Sequence, residues 1–428
     1  MDDNCWIIGV TDGGPETLSP RAAELLGKAN AVFGDQRFLD LYKPLLAARC
    51  RKKSISDHLP ELPGWIQEAL GEGRKVAVLA SGDPLHHGLG SYLVRRLPPD
   101  TCRILGAPST LQQACERLAL PWETAHRMSV HQGDGGDWTP TSGPDHPLFP
   151  VLGALGRYDL ITLLTSPVNS PERIARMMVQ RGVVEGWEVA VAERLGSAGE
   201  RISAWISPLE TAARVFPAPN VMILRRRGIP APRPPVLGVP DERFRKRSPL
   251  KGLITRREVR AVALARLELR EGDILWDIGA GSGSVGLEAA RLCSRGMVYA
   301  IERNAECLEM IRENRRELGV VNHILFHGEA PRGMEQWPDP DAIFLGGSGG
   351  RIEDLVGMAW ERLKPGGRLV MNFAVLENLA RARNRLQELN APWEMIQVTV
   401  ARSRPLGDLH RLGGEGPVWI VTAAKDRA

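Results

Sequence analysis

The sequence predicts an α/β protein built on mostly parallel β-sheets. Short apolar runs, each followed by a glycine-containing turn and then by a helical pattern, recur along most of the chain. A stretch rich in proline and arginine, without apolar periodicity, separates two such series. We therefore expect two α/β domains, at residues 1–228 and 251–428, joined by a linker at residues 229–250.

Composition limits the class of protein. A chain of 428 residues has room for two or three domains, and its net charge of +4 is too small to require a nucleic-acid partner. The six cysteines include no C-x-x-C pair, which favours a reducing cytoplasm and no metal site. No apolar run is long enough to span a bilayer, and Asp2 and Asp3 do not suit a secretion signal. We expect a soluble cytoplasmic protein with no membrane partner.

The N-terminal series repeats one pattern three times. The runs CWIIGV, VAVLAS and CRIL read as buried strands, and each is followed by a polar turn and a helix. Ser19 and Pro20 suit the start of the first helix. After the second strand Asp83 is able to accept hydrogen bonds from a ligand, and after the third Ser109 and Thr110 are able to contact it. Taken singly, each of these residues also fits an ordinary turn or helix cap.

The strongest motif of the chain is ILWDIGAGSGSVGLEAAR at residues 274–291. It predicts a strand, a tight glycine turn and a helix, an arrangement in which backbone N–H groups and a helix N-terminus face a nucleotide-like ligand. An acid before the glycines and Glu302 after the next strand favour S-adenosylmethionine. Because the turn also satisfies the dinucleotide pattern G-x-G-x-x-G, a dinucleotide cofactor is one alternative. A glycine turn that binds no ligand is the other. The predicted cofactor contacts of this turn are Asp277, Gly279, Ala280, Gly281, Ser282 and Gly283.

Residues 1–228 resemble the tetrapyrrole (corrin and porphyrin) methylase family. The resemblance rests on GDPLHHGLG, GAPSTLQQACERLALPWE, LLTSPVNSPERIARMMVQRG and VAVAERLGSAGERI. It implies a two-lobed α/β fold with S-adenosylmethionine between the lobes. It also implies that Asp83 and His86 line the cofactor, that Ser109 and Thr110 form a second contact loop, and that Gly9 closes the first strand. Thr11 departs from the family pattern, in which glycine is common at that position.

The segment at residues 131–147, HQGDGGDWTPTSGPDHP, is longer and richer in glycine, proline and aspartate than the resemblance leads us to expect. It fits either a mobile lid over the substrate or, more simply, a surface loop.

The C-terminal series alternates strands and helices, with Gly279, Glu302, Ala330 and Gly346 at the carboxyl ends of four strands. In a doubly wound sheet the ligand crevice lies at those ends. The run EMIQVTVARSRPLGDLHRL is expected to pair with PVWIVTAA as a closing antiparallel pair. Strand order and the KPGG turn resemble the seven-stranded, Rossmann-like class I methyltransferases, which implies that Glu329 binds the adenine edge. Thr255 is a candidate helix cap, and the family pattern places it near the cofactor.

The C-terminal motifs LITRREVRA, YAIERN, FLGGSGG and ARSRPLGDLHRL resemble the decarboxylating partner of the corrin methylases. The whole chain thus resembles the bifunctional, decarboxylating corrin-ring methyltransferases of cobalamin biosynthesis. This implies one S-adenosylmethionine per domain, a tetrapyrrole substrate, methylation at C5 by the first domain, and methylation at C15 with decarboxylation by the second. We expect a homo-oligomer and assign no general base. A cobalt-containing substrate, an RNA methyltransferase and a cofactor-sensing regulator are the alternatives.

Several C-terminal residues are candidates for substrate binding. Guanidinium groups can bind the peripheral carboxylates of a tetrapyrrole in bidentate fashion, and glycines leave room for a flat macrocycle. Solvated charge on a surface hairpin and a simple glycine turn are the alternatives. The candidates are Gly346, Gly347, Arg402, Arg404, His410 and Arg411.

Overall fold

A computed structural model describes residues 4–131, 133–140, 142–228, 234–245 and 254–427. The chain divides into two compact units. The first consists of residues 1–140 and 158–228, and the second of residues 141–157 and 229–428. Among the described residues, no helix has the length and apolar character needed to cross a membrane.

The first unit contains two five-stranded sheets among its described residues. One is entirely parallel, with the strand order β3-β2-β4-β1-β5. The other has the order β6-β7-β10-β8-β9 and is antiparallel except for the β6–β7 pair. The strands are β1 (Cys5–Val10), β2 (Ala31–Gly34), β3 (Arg51–Ser54), β4 (Val76–Ser81), β5 (Arg103–Leu105), β6 (His126–Ser129), β7 (Leu160–Leu164), β8 (Trp187–Glu193), β9 (Arg201–Ile206) and β10 (Asn220–Arg226).

Both faces of the parallel sheet are covered, as its apolar strands require. Trp6 and Ile8 of β1 enter one hydrophobic cluster, whereas Cys5 and Ile7 enter the cluster on the opposite face. The first helix begins at Pro20, and the hydroxyl of Ser19 caps it by accepting a hydrogen bond from the N–H of Ala22, as predicted. The helices in the chain up to β10 are α1 (Pro20–Gly27), α2 (Gln36–Leu41), α3 (Leu62–Gly71), α4 (Leu89–Val94), α5 (Thr110–Arg117), α6 (Phe149–Arg157), α7 (Pro171–Gln180) and α8 (Pro208–Ala212). Of these, α6 groups with the second unit.

The second unit contains a seven-stranded sheet with the order β13-β12-β11-β14-β15-β19-β16. All neighbours are parallel except β19, which runs antiparallel to both β15 and β16. The strands of the unit are β11 (Ile274–Ile278), β12 (Met297–Glu302), β13 (His323–His327), β14 (Ala342–Leu345), β15 (Arg368–Phe373), β16 (Trp393–Val398), β17 (Ala401–Leu406), β18 (Leu409–Gly414) and β19 (Val418–Ala424). Its further helices are α9 (Arg257–Leu267), α10 (Ser284–Leu292), α11 (Ala305–Glu317), α12 (Ile352–Arg362) and α13 (Leu376–Glu388). The predicted fold class is confirmed.

The closing antiparallel pair is more complex than predicted. Residues 393–398 do pair with residues 418–424. The chain between them, however, forms a separate two-stranded hairpin, β17–β18, whose residues are almost all exposed. Because neither face of this hairpin is buried, its sequence does not alternate between apolar and polar residues, and the strand periodicity that predicts the other strands is missing.

The helix cap predicted at Thr255 is wrong. Helix α9 begins at Arg257, and Arg256 occupies the cap position without a side-chain hydrogen bond. The carbonyl of Thr255 instead accepts a hydrogen bond of 2.5 Å from the guanidinium of Arg260.

The described part of the predicted linker, residues 234–245, is not a solvated connection. Val239 is fully buried and Phe244 is 3% exposed within the core of the second unit. The carboxylate of Glu288 accepts hydrogen bonds from the N–H groups of Gly238 and Val239. It also accepts one of 2.7 Å from the fully buried guanidinium of Arg260. This segment is therefore anchored to the second unit's core through Val239 and Phe244, while the rest of the predicted linker lies outside the described residues.

Candidate active sites in the two units

The first unit has a cavity of about 680 Å³ at the carboxyl ends of its parallel strands. Loops that follow β1, β2 and β4 line it, together with the start of α5 and residues that follow β6 and β7. Four predicted contacts lie in its wall: Asp83, His86, Ser109 and Thr110.

Gly9 does not line this cavity but allows its loops to converge. A Cβ atom at position 9 would lie 2.6 Å from the backbone nitrogen of Ala107 and would also collide with the carbonyl of Gly82. The loops after β4 and β5 therefore pack directly against the end of β1. The predicted role of closing the first strand has a steric basis here.

The loop after β4 presents polar groups to the cavity. The carboxylate of Asp83 accepts a hydrogen bond of 2.9 Å from the N–H of Leu85, which holds the turn. Within the described part of the chain, the buried Nδ1 atom of His86 has no hydrogen-bond partner. Burial, with a smaller contribution from neighbouring His87, lowers the pKa of His86. Its imidazole is therefore neutral at neutral pH and able to bind a ligand.

Ser109 is primarily a helix cap. Its hydroxyl accepts a hydrogen bond of 3.2 Å from the N–H of Gln112, and the Gln112 side chain accepts one of 2.7 Å from the Ser109 N–H. This reciprocal pair fixes the start of α5, where Thr110 is the first helical residue. The helix N-terminus then faces the cavity, so the capping and ligand-contact interpretations of this motif are compatible.

Other residues of this wall escaped the sequence analysis because they come from turns distant in sequence. Asp12 and Arg37, from the loops after β1 and β2, form an ion pair of 3.2 Å. His131 follows β6, and its Nδ1 atom lies 3.1 Å from the hydroxyl of Ser129. The further polar residues of the wall are Asp35, Ser81, His87, Thr165 and Asn220.

The glycine turn of the second unit has the backbone that its sequence predicts. Gly279, Gly281 and Gly283 all have positive φ angles, of 73°, 59° and 75°, and Gly283 directly precedes helix α10. A Cβ atom on Gly279 would lie only 2.6 to 2.9 Å from the backbone of Gly347. The turn after β11 thus packs backbone to backbone on the loop after β14, and a side chain at position 279 would separate them.

Glu302 joins the glycine turn to the next strand. One of its carboxylate oxygens accepts a hydrogen bond of 2.8 Å from the N–H of Gly281, and the other accepts one of 2.9 Å from the N–H of Asn304. Glu302 also lines a cavity of about 160 Å³. Five predicted residues line this cavity: Gly279, Glu302, Glu329, Ala330 and Gly347. Arg303, Ser348 and Gly349 also line it and were not predicted.

Asp277 lies behind the turn and outside the cavity wall. It is 1% exposed, and one carboxylate oxygen accepts a hydrogen bond of 3.0 Å from the N–H of Gly286 in α10. Burial raises the pKa of Asp277 from 3.8 to about 7, and the nearby carboxylate of Glu302 acts in the same direction. This side chain anchors the first turn of α10 to β11, which is an indirect contribution to a ligand site.

Some predicted residues lie away from this cavity wall. Ala280, Gly281, Ser282 and Gly283 belong to the turn but are not part of the wall, and neither is Thr255. Gly346 also lies outside it, where a Cβ atom would meet the ring of Phe344 at 3.0 Å. Close packing against Phe344 therefore favours glycine at position 346.

The four basic substrate candidates all lie on the exposed β17–β18 hairpin, outside the cavity wall. Arg402 is paired with two carboxylates, at 2.5 Å from Glu258 and 3.2 Å from Glu415. Arg404 lies opposite Arg411, and His410 lies opposite Pro405. Arg402 is thus less available to a ligand than its hairpin neighbours.

Comparison with known proteins gives each unit a counterpart. Residues 4–213 match the family model of tetrapyrrole (corrin/porphyrin) methylases, and residues 249–425 match that of the precorrin methyltransferase domain. These matches define the class: an enzyme that transfers methyl groups from S-adenosylmethionine to carbon.

Named relatives define the family within that class. The chain is 32% identical to a precorrin-6Y C(5,15)-methyltransferase (decarboxylating) of Sinorhizobium sp. over 94% of this chain and 92% of that protein. It is 40% identical to a cobalt-precorrin-6B C(15)-methyltransferase (decarboxylating) of Salmonella typhimurium, over 40% of this chain and 90% of that protein. A solved precorrin-6Y C5,15-methyltransferase structure from Geobacter metallireducens is 38% identical, with a TM-score of 0.43, over 45% of this chain and 99% of that chain.

The chain belongs to the family of decarboxylating precorrin-6Y C(5,15)-methyltransferases. The predicted family and enzyme class are thereby confirmed.

Proposed function

We propose that this enzyme methylates precorrin-6Y at C5 and C15 and decarboxylates the acetate side chain of ring C, giving precorrin-8X. The observation that carries the proposal is that each unit has its own polar cavity at the carboxyl ends of parallel strands. Each cavity holds one S-adenosylmethionine in this proposal. Residues 1–228 carry the C5 reaction, residues 251–428 carry the C15 reaction, and residues 229–250 connect them.

The residues of the first cavity fit this cofactor. The N-terminus of α5, capped by Ser109, suits the cofactor's carboxylate. The buried Nδ1 atom of His86 and the carboxylate of Asp83 are available to its polar groups. A cavity of about 680 Å³ has room for a drug-sized ligand and part of a larger substrate.

The residues of the second cavity fit it as well. The carboxylate of Glu302 is held in place by two backbone N–H groups, which leaves lone pairs to accept hydrogen bonds from ribose hydroxyls. Glu329 and Ala330 lie in the same wall, where we place the adenine edge. At about 160 Å³ the cavity is smaller than the typical range for ligands, so we propose that it holds only part of the cofactor and that the rest extends along the glycine turn.

The two reactions make different demands on the protein. S-adenosylmethionine supplies an electrophilic methyl group. At C15 the departing carboxylate leaves its electron pair in the macrocycle, and this balances the charge of the incoming methyl. At C5 nothing leaves with an electron pair, so the product becomes neutral only when the macrocycle releases a proton. The first cavity contains neutral His86 and, on another loop, His131, and we propose that one of these two imidazoles accepts that proton.

The substrate's peripheral carboxylates require cationic partners. We propose Arg404, His410 and Arg411 for this role. Arg402 is a further candidate, but it would first have to leave its ion pairs with Glu258 and Glu415. Gly347, in the cavity wall, and the adjacent Gly346 carry no side chains, and we propose that the flat macrocycle lies against them.

The expected assembly and location belong to the same proposal. Leu406, Leu409 and Leu412 of the β17–β18 hairpin are 58%, 71% and 76% exposed, and this apolar exposure supports the proposal of a homo-oligomer. Light scattering on the purified enzyme would measure this. We place the enzyme in the cytoplasm, where its thiols are kept reduced, and assign it no nucleic-acid or membrane partner.

Mass spectrometry of the products tests the division of labour. Ser81→Trp narrows the first cavity and Ala330→Trp narrows the second. The wild-type chain should add two methyl groups to precorrin-6Y and remove one carbon dioxide. Ser81→Trp should still remove carbon dioxide but add one methyl, whereas Ala330→Trp should add one methyl without loss of carbon dioxide. Loss of both reactions in each variant, with the fold intact, would contradict two separate sites.

The Salmonella typhimurium relative is named for a cobalt-containing substrate, so cobalt-precorrin forms the second arm of this experiment. If only the cobalt form is turned over, the proposed reaction type stands and the proposed substrate changes to cobalt-precorrin.

A further inference from the structure

Two cysteines of the first unit lie side by side at the amino ends of adjacent strands. The Sγ atoms of Cys5 and Cys102 are 2.7 Å apart. Strands β1 and β5 are parallel, and the pairing of Trp6 with Arg103 places Cys5 opposite Cys102 one residue earlier. Neighbouring strands lie roughly 4.8 Å apart, within the range of Cα separations that a disulfide can bridge. Both side chains enter the same apolar cluster, so they point to the same face of the sheet.

The two thiols differ in exposure and in acidity. Cys5 is 1% exposed, whereas Cys102 is partly exposed just before β5. The hydrogen bond between the two thiols lowers the pKa of Cys102, and the same interaction, with burial, raises the pKa of Cys5. Burial raises the pKa of Cys50, Cys115 and Cys293.

A partly exposed thiol of lowered pKa, with a second thiol in contact, suits thiol–disulfide exchange. Cys102 is the accessible nucleophile, and Cys5 is the group positioned to resolve a mixed disulfide. Cys50, Cys115 and Cys293 are buried, and their raised pKa values disfavour the thiolate form.

We propose that Cys5 and Cys102 form a reversible disulfide when the chain meets a small-molecule disulfide such as oxidised glutathione. The Cys102 thiolate attacks one glutathione sulfur, which breaks the glutathione S–S bond and releases one glutathione thiolate. Cys5 then loses its proton and attacks the Cys102 sulfur, which forms the protein disulfide and releases the second glutathione. The protein loses two hydrogens, and oxidised glutathione gains them as two thiols.

The disulfide would link two strands that lead directly into the first cavity. β1 continues to the Asp12 loop, and β5 continues to Ser109 and Thr110. A link between residues 97 positions apart restricts the unfolded chain strongly. We therefore expect oxidation to raise the Tm of the first unit by several degrees and reduction to reverse the rise.

The experiment treats the full chain with oxidised glutathione and follows intact mass and tryptic peptides. Wild type should lose two hydrogens and yield a peptide linked through Cys5 and Cys102. Cys5→Ala should stop at a glutathione adduct on Cys102, because the resolving thiol is gone. Cys102→Ala should form neither product, and Cys115→Ala, the matched control, should behave as wild type.

Two results would overturn the proposal. One is an unchanged mass in folded wild-type protein under conditions that oxidise an exposed model dithiol. The other is a stable glutathione adduct on wild type without the linked peptide, since the two sulfurs would then not be within reach of one another.

Discussion

Replacing Asp277 by asparagine should change how the stability of the second unit depends on pH. The side chain is fully buried, and its pKa in the folded protein is about 7 instead of 3.8. The folded chain therefore binds this proton more tightly than the unfolded chain does. The stability gained from it is complete below the unfolded pKa and is lost as the pH rises toward 7.

The linkage relation gives the size of the effect. With a pKa raised from 3.8 to about 7, the free energy of unfolding should fall by about 2.6 kcal/mol as the pH rises from about 5 to about 8. Asparagine has a similar shape and does not titrate, so Asp277→Asn should not show this loss. Exposed Asp408→Asn, in the hairpin turn, is the control and should retain the wild-type pH dependence.

The assay is urea unfolding of the full chain, followed by hydrogen exchange in peptides that cover β11 and α10. Comparing variant and wild type at the same pH cancels the intrinsic pH dependence of exchange. Equal pH dependence in Asp277→Asn and wild type would refute the argument, because Asp277 would then ionise in the folded protein as it does in the unfolded chain.

Two further predictions concern the second unit, one at its glycine turn and one at its buried ion pair. Gly279→Ala should abolish S-adenosylmethionine binding in the second unit, because its Cβ would overlap the backbone of Gly347. Gly281 also has a positive φ but open space for a Cβ, so Gly281→Ala should only weaken binding. Calorimetric titration would measure both affinities, and equal losses would contradict the steric argument. Glu288→Gln should lower the free energy of unfolding by about 3 to 5 kcal/mol, because Arg260 is left buried with an incomplete set of partners. The matched change in exposed Glu309 should cost less than about 1 kcal/mol in the same urea titration, and similar costs would contradict the role of the buried pair.

Local sequence predicted the elements whose signals are local. The glycine turn of residues 279–283 and the cap at Ser19 follow from backbone preference and short-range hydrogen bonds, and both are present. Glu302 also fits its predicted position, because a strand end in a doubly wound sheet defines the ligand edge.

The errors have long-range causes. The proline-rich segment around Val239 carries no periodicity, yet a buried carboxylate at Glu288 holds its backbone in the core. Thr255 has the right chemistry for a cap, but α9 begins two residues later. His131 and Arg37 reach the first cavity from loops far apart in sequence, and without the strand order no pattern brings them together.

The count of bound S-adenosylmethionine per chain tests the central claim most directly. Equilibrium dialysis of the full chain, without tetrapyrrole, should find two molecules bound per chain at saturation. Ser81→Trp and Ala330→Trp should each bind one, and the double variant none. A wild-type stoichiometry of one, or the loss of both molecules in either single variant, would contradict an enzyme with an independent cofactor site in each unit.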